Sequence, residues 1–376
     1  MVAPTGGERG ECNTPFAVDN TPLSGINKWP KRPPLRPRHC MIRYRLARPD
    51  DIATCVQFIA DHPVLGPRYG PAIEHLGTVW RRFLGSDALF SIVAEETGSE
   101  SGTRVIASYI ASFVSDDFAS DLATPPLKWI GPELVNLCIQ GPIPVLTDEQ
   151  VRQVNSTTGV NILVWPTAPR ADFEGVPELV QGGQAVFFET YRGFNIKRLQ
   201  VQASHPVEME VAVNSGAWCL RAGNAVRFRT LDQPAEVAAL QPHLLEVTKE
   251  MAARQPGTWV SLLLTHRKPV IGFTPSEQRL LSAALQGGTD GELAHLLGVS
   301  LSAVKKMWAS IYLRVQSRKP FDLKIELDES VDGDRGKEKK QKLLVFLREH
   351  PEELRPYSLK LLENGNRPGL SARPVH

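Results

Sequence analysis

Ala185-Val-Phe-Phe-Glu-Thr-Tyr-Arg-Gly-Phe-Asn-Ile-Lys-Arg-Leu-Gln-Val201 changes its period halfway along. Up to Arg192 the apolar residues read as a helix. Gly193 stops it, since a helix end commonly needs a left-handed residue, and from Phe194 apolar and polar residues alternate as in a half-buried strand. A helix feeding a strand through one glycine belongs to a domain in which helices cover a sheet.

Toward the N-terminus the same grammar recurs. Ile42 to Arg48 alternates like a strand, and Pro49-Asp50-Asp51 then starts an amphipathic helix carrying Ile52, Cys55, Val56, Phe58 and Ile59. Ala88 to Glu95 and Val105 to Val114 are strands joined by a Gly/Ser-rich turn, a hairpin, and Val160 to Trp165 is a further buried strand. Between them Ser115 to Thr158, with Pro125-Pro126, Gly131-Pro132 and Gly141-Pro142, reads as loops with short helices. Past Val201, Met209 to Val213 and Trp218 to Arg221 are strand candidates, and Pro234 to Ala253 is a helix-rich connector.

This order resembles the GNAT acyltransferase fold over about residues 42 to 203, with Arg48-Pro-Asp-Asp similar to that family's opening and Glu189-Thr-Tyr-Arg-Gly-Phe to its closing helix. The resemblance implies an α+β domain with a mixed sheet and a CoA-pyrophosphate cradle of the form Gln/Arg-x-x-Gly-x-Gly/Ala at a helix N-terminus. No segment has that spacing. Gln181-Gly182-Gly183-Gln184-Ala185 is the nearest glycine cluster. The family's usual proton donor, a Tyr four residues before the closing glycine, is Glu189 here, preceded by Phe188, and Tyr191 reads as a packing residue. Glu95 and Glu96 end a strand as solvated carboxylates or as a base, and His62, His75 and His205 have no paired acid and nucleophile. The expectation is therefore no assigned catalytic residue and no required cofactor, with acetyl-CoA or another acyl-CoA as the alternative.

The C-terminal third reads as all-α. Thr274, Pro275 and Glu277 combine a side-chain cap, a first-turn proline and a reciprocal carboxylate, and Thr289 with Glu292 repeats the spacing after Gly287-Gly288. Leu280, Leu281, Ala284 and Leu285 form the first apolar stripe, and Leu293, Ala294, Leu296 and Leu297 the second. Gly298-Val299-Ser300 turns into a third helix with Leu301, Val304, Trp308 and Ile311 on one face. Its other face carries Ser302, Lys305, Lys306 and Ala309, and Ser300 to Pro320 contains five Lys or Arg and no acidic residue. These residues resemble the LuxR-type helix-turn-helix family over about 45 positions. The resemblance implies double-stranded promoter or operator DNA as partner, a homodimer, and a bacterial transcription regulator. The DNA-binding set it suggests is Thr289, Ser300, Ser302, Ala303, Lys305, Lys306, Met307, Ala309 and Arg314. Ala303 and Met307 depart from the usual Thr and His, which leaves the base preference undefined.

The net charge of +2 on 376 residues says little, but Thr21 to Pro49 holds eight Lys or Arg without an acid. Pro22, Pro30, Pro33, Pro34 and Pro37 exclude regular structure in its first part, and translation starting at Met41 is compatible with the strand that begins there. Cys12, Cys40, Cys55, Cys138 and Cys219 show no metal-ligand or disulfide spacing, which implies reduced thiols in a cytoplasm and no metal site. No apolar run reaches the roughly 18 residues of a membrane span. The expected organisation is a Pro-rich basic tail (1–40), a GNAT-like α+β sensor domain (41–205), a connector (206–270), a helix-turn-helix domain (271–320) and a charged extension with one amphipathic helix (321–376). The expected function is a DNA-binding regulator whose GNAT-like domain senses a small-molecule effector or a partner; the alternative is an acyl-CoA-dependent N-acetyltransferase fused to that module.

Overall fold

The computed structural model describes residues 41–99, 102–124, 127–203, 218–221, 243–318 and 333–358. The basic tail with Cys12 and Cys40, the strand candidate Met209 to Val213, His205 and most of the acidic run after Lys324 lie outside these residues. The alternating stretch forms β1 (Met41–Leu46), and α1 (Asp51–Asp61) follows. A carboxylate fixes this corner. Asp51 accepts from the Arg48 amide at 2.6 Å and from the Arg45 guanidinium at 2.7 and 2.9 Å. The Arg45 bond, and less strongly the Arg48 amide, hold its carboxyl below the ordinary range against the opposing effect of burial.

Next come α2 (Leu65–Tyr69), α3 (Ile73–Phe83), and the hairpin of β2 (Leu89–Ser99) with β3 (Gly102–Val114). The insert forms α4 (Asp116–Asp121), α5 (Ile130–Gln140) and α6 (Asp148–Ser156). Then follow β4 (Val160–Val164), α7 (Pro177–Tyr191), β5 (Ile196–Ala203), β6 (Trp218–Arg221) and β7 (His243–Thr248). All seven strands form one sheet in the order β1-β2-β3-β4-β5-β7-β6. Every neighbouring pair is antiparallel except β4 and β5, which run parallel with α7 as their crossover. Two strands of the segment expected to be a connector thus complete the sheet.

Successive side chains of a strand face opposite ways, and β2 shows which helices cover which face. The Trp80 indole on α3 donates to Ser91 Oγ at 3.0 Å, so α1, α3 and α5 occupy that side with Ile52, Leu76, Trp80, Ile130 and Leu134 buried. Phe90 faces the other way and meets Tyr191 of α7 at a ring separation of 5.1 Å, within a cluster that includes Phe113 and Phe194. This is the mixed sheet with flanking helices that the sequence implies.

Two short helices, α8 (Lys249–Ala253) and α9 (Trp259–Leu264), join the sheet's core through Ala252, Val260, Leu263 and Leu264. Beyond them α10 (Pro275–Leu285), α11 (Asp290–Leu297), α12 (Leu301–Arg318) and α13 (Gly333–Glu349) bury Phe273, Leu280, Leu281, Leu293, Val304, Trp308, Ile311, Leu343 and Leu347 together. Both capping boxes are formed, and Gly298 ends α11 in the left-handed region at φ 65°. A C-terminal strap joins the halves. Glu353 accepts from the amides of Val270, Ile271 and Gly272, while Arg355 donates to the carbonyls of Arg192 and Glu189 and lies over the Phe194 ring.

Candidate functional site

Crevices beyond the carboxyl ends of parallel strands are where α/β sheets take ligands, so the β4–β5 pair defines the place to examine. Its ladder ends at Leu163 opposite Gln200. The cause is local. Trp165 turns its N–H toward β3, donating to the Ile110 carbonyl at 2.9 Å, so the next residue faces β5. That residue is Pro166, which has no N–H to continue the ladder. β4 therefore stays with β3 while β5 leaves it.

On one side the opening is bridged by the chain itself. Gln202, near the end of β5, accepts from the Ile130 amide at 2.9 Å and donates to the Lys128 carbonyl at 2.9 Å, which anchors the start of α5. The Tyr69 hydroxyl donates to the Pro166 carbonyl at 3.1 Å, and the ring of Tyr69 lies against Gly131, where a Cβ would stand only 2.5 Å from the hydroxyl. Arg68 stacks over Trp129 at 3.7 Å, and burial pulls its guanidinium down to about 10. Arg68, Tyr69, Trp129, Pro166 and Gln202 thus stand around the end of the β4–β5 ladder, three of them invisible to motif reading because α2 and the insert bring them there from distant sequence.

On the other side stands α7, whose N-terminus is where a βαβ unit would hold a phosphate. The loop before it, Arg170-Ala-Asp-Phe-Glu-Gly-Val-Pro177, is spent on itself. The amides of Phe173, Glu174, Val176, Leu179 and Val180 donate to carbonyls within residues 170–176, and Pro177 at the first helical position has none. Arg170 is engaged by Asp172 at 2.6 and 2.8 Å and lies 3.6 Å from Glu96. Asp172, Glu174 and Glu178 surround the helix start. These residues do not fit the diphosphate of a CoA ester: all but two of the donors from Phe173 to Val180 are used or missing, and the carboxylates outnumber the one arginine.

The other sequence candidates resolve individually. Gly182 and Gly183 are helical residues of α7 lying against the rings of Tyr44 and Tyr109. Tyr191 is 2% exposed and donates to the Ala111 carbonyl at 3.2 Å, with burial raising its pKa well above the usual phenol range. On β2, Glu95 is paired with Arg45, and Glu96 with Arg104 and at 3.6 Å with Arg170. His62 accepts from the amides of Val64 and Leu65 and approaches Glu174 at 3.5 Å. Cys55 and Cys138 are buried free thiols, and no group of three or more metal-ligating side chains occurs among the described residues. No described helix is long and apolar enough to cross a membrane.

Of the expected nucleic-acid set, Thr289 and Ser300 are committed to capping, accepting from the amides of Glu292 and Ala303. Arg314 turns inward to the buried Glu277 at 2.9 Å. Ala303 and Met307 are half-buried, and Ser302, Lys305, Lys306 and Ala309 are exposed. The surface beside the last group is apolar: Leu296 is 66% and Leu301 45% exposed.

The N-terminal part is a mixed seven-stranded sheet with flanking helices. Solved structures that resemble it include Arabidopsis thaliana NAA60 in complex with a bisubstrate analogue (11% identity, TM-score 0.35, 55% of this chain and 99% of that one). Another is a spermidine N-acetyltransferase SpeG chimera from Vibrio cholerae and hSSAT (6%, TM-score 0.32, 55% and 95%). A third is the NatC complex bound to Gag peptide and CoA (9%, TM-score 0.31, 55% and 98%). These are likenesses of architecture, and no residue's role is taken from them. No family model and no curated protein matches the chain. The expectations of transcription regulation and of DNA binding by a LuxR-type module are corrected: three residues of the expected contact set are committed within the chain, Thr289 and Ser300 as exposed helix caps and Arg314 to the buried Glu277.

Proposed function

We propose that the chain is an N-acyltransferase, moving an acyl group from a thioester to an amine at the divergence of β4 and β5. The observation that carries this reading is the parallel pair itself, opened by Pro166 and spanned by α7. Such an opening admits an extended thioester arm alongside strand backbone. In that reaction the amine lone pair attacks the thioester carbonyl, the C–S bond breaks, and the thiolate leaves with the proton that the amine gives up. The chain's contribution is orientation: Tyr69, Trp129 and Gln202 fix the walls, so both reactants are held in one geometry, a device worth several kcal/mol of barrier in well-oriented systems.

A second reading, a ligand-binding domain without turnover, is favoured by the burial of Tyr69 and Tyr191, whose hydroxyls are donated to the Pro166 and Ala111 carbonyls. One experiment separates the two. Purified protein is incubated with acetyl thioesters and a panel of primary amines and polyamines, and free thiol is followed. Amine-dependent thiol release supports transfer. A thermal shift by the thioester with no thiol release on any amine leaves the binding reading, and neither effect rejects both.

A further inference from the structure

The frame of an acyltransferase and the diphosphate clasp that usually accompanies it have come apart in this chain. Resting on the acyltransferase reading, we propose that the acyl donor is recognised through its pantetheine thioester arm alone, with the nucleotide diphosphate contributing nothing to binding. The donor class is therefore an acyl-pantetheine thioester, whether free, nucleotide-linked or carried on a protein.

A diphosphate clasp needs convergent, unspent N–H groups and a net positive field. Between residues 173 and 180 five amides are already donated inside the loop and Pro177 supplies none, which leaves those of Gly175 and Glu178. Gly175 has a φ of 69°, so it bends the loop into the helix, and Val176 behind it donates back to the Phe173 carbonyl at 3.3 Å. The cation at the spot is bound on both sides: Arg170 makes a two-pronged contact with Asp172 and stacks on Phe173 at 4.7 Å. Glu174 lies 3.5 Å from His62, and Glu178 occupies the first turn of α7. A carboxylate in a first turn already satisfies the helix dipole that a phosphate would otherwise use. The opening between β4 and β5 depends on none of these residues, because it arises from Pro166 and the end of the ladder at Leu163. The thioester arm and the diphosphate are therefore addressed by separate parts of the structure, of which one is present.

Titration calorimetry of the full chain with acetyl-CoA, acetyl-S-pantetheine and 3′,5′-ADP tests this. The two thioesters are expected to bind within about threefold of each other, with no heat from 3′,5′-ADP and no weakening of acetyl-CoA between low and moderate salt. Acetyl-CoA binding tenfold or more above acetyl-S-pantetheine, with loss of affinity in salt, overturns the inference while leaving the acyltransferase reading standing. Absence of binding by both thioesters overturns both. A variant carrying Glu174→Gln, Glu178→Gln and Pro177→Ala adds a second test. It is expected to gain at least fivefold for acetyl-CoA and nothing for acetyl-S-pantetheine; an equal change for both ligands counts against the proposal.

Discussion

Gly193→Ala is the sharpest probe of how the two halves of the chain are joined. Gly193 has a φ of 88°, and a Cβ there would stand 2.6 Å from the Glu352 nitrogen and 2.7 Å from the Pro351 carbonyl carbon. Both are backbone atoms of the strap, so no side chain can rotate away. Gly257 supplies the control, with the same φ of 88° and nothing within 4 Å of its added Cβ. The left-handed conformation costs an alanine about 1–2 kcal/mol at either site, offset by roughly 0.4–1 kcal/mol from the stiffer unfolded chain. At Gly193 the strap must also retreat by about 0.7 Å to restore ordinary contact, a distance taken from the difference between those separations and 3.4 Å. Such a shift strains the two bonds from Arg355 to Arg192 and Glu189, at 2.9 and 3.0 Å. Hydrogen bonds from charged groups contribute about 1.5–3 kcal/mol each, so losing one or weakening both adds about 2–3 kcal/mol. Urea unfolding of both variants, at unchanged m, measures the difference. Equal costs at Gly193 and Gly257 would refute the claim that the strap's backbone is seated on Gly193.

Three further outcomes are expected. Tyr191→Phe removes one hydrogen bond to Ala111 and lowers stability by about 0.5–1.5 kcal/mol, while thiol release from an acetyl thioester stays within twofold; a tenfold loss of rate would make Tyr191 a proton donor after all. Asp51 has a folded pKa below its unfolded 3.8, so its contribution is present above about pH 4 and disappears as pH falls through the depressed folded value. Asp51→Asn should accordingly flatten the acid limb of the stability–pH curve and leave the slope above pH 5 unchanged, and identical acid limbs in the two proteins would contradict this. Glu353→Ala strands the buried amides of Ile271 and Gly272 and that of Val270, for a cost of roughly 3 kcal/mol or more by urea unfolding, with accelerated hydrogen exchange at those three positions; a cost below 1 kcal/mol would show that the loop finds other acceptors.

What the sequence discloses and what it hides divide along a physical line. Signals carried within four or five residues survive intact: Thr274 and Thr289 cap as their spacing with Glu277 and Glu292 requires, and Gly193 ends its helix. Signals that depend on a distant partner do not. The helix expected from Ala185 begins at Pro177, because Gly182 and Gly183, which look like helix breakers, instead let α7 approach the rings of Tyr44 and Tyr109. His243 to Thr248 reads as part of a helix-rich connector, yet Leu244 to Val247 are all buried, Glu246 included, and pair with β5 and β6, a short run that periodicity alone cannot assign. Arg314 looked like one more outward cation on α12, and only the position of Glu277 on α10 reveals that it faces inward. The candidate opening was similarly hidden, since Tyr69, Trp129 and Gln202 meet through contacts spanning more than seventy residues.

The separation of frame from clasp follows from how each is encoded. The divergence of β4 and β5 is a main-chain event: the ladder ends at Leu163 opposite Gln200, and Pro166 offers no N–H to resume it. A diphosphate clasp is a loop event, requiring several amides to point at one spot and therefore to be left without partners inside the protein. Residues 170 to 177 close on themselves instead, through the 3₁₀ turn at Ala171–Phe173 and the buried Phe173 side chain, which is 0% exposed and anchors the loop in the cluster with Leu179 and Ala94. Burying Phe173 contributes about 1.5–3 kcal/mol, comparable to the gain from one hydrogen bond to a charged group, so opening the loop to free its amides would offset part of what a phosphate could return. A ligand that uses the strand opening and ignores the helix end meets no such opposition.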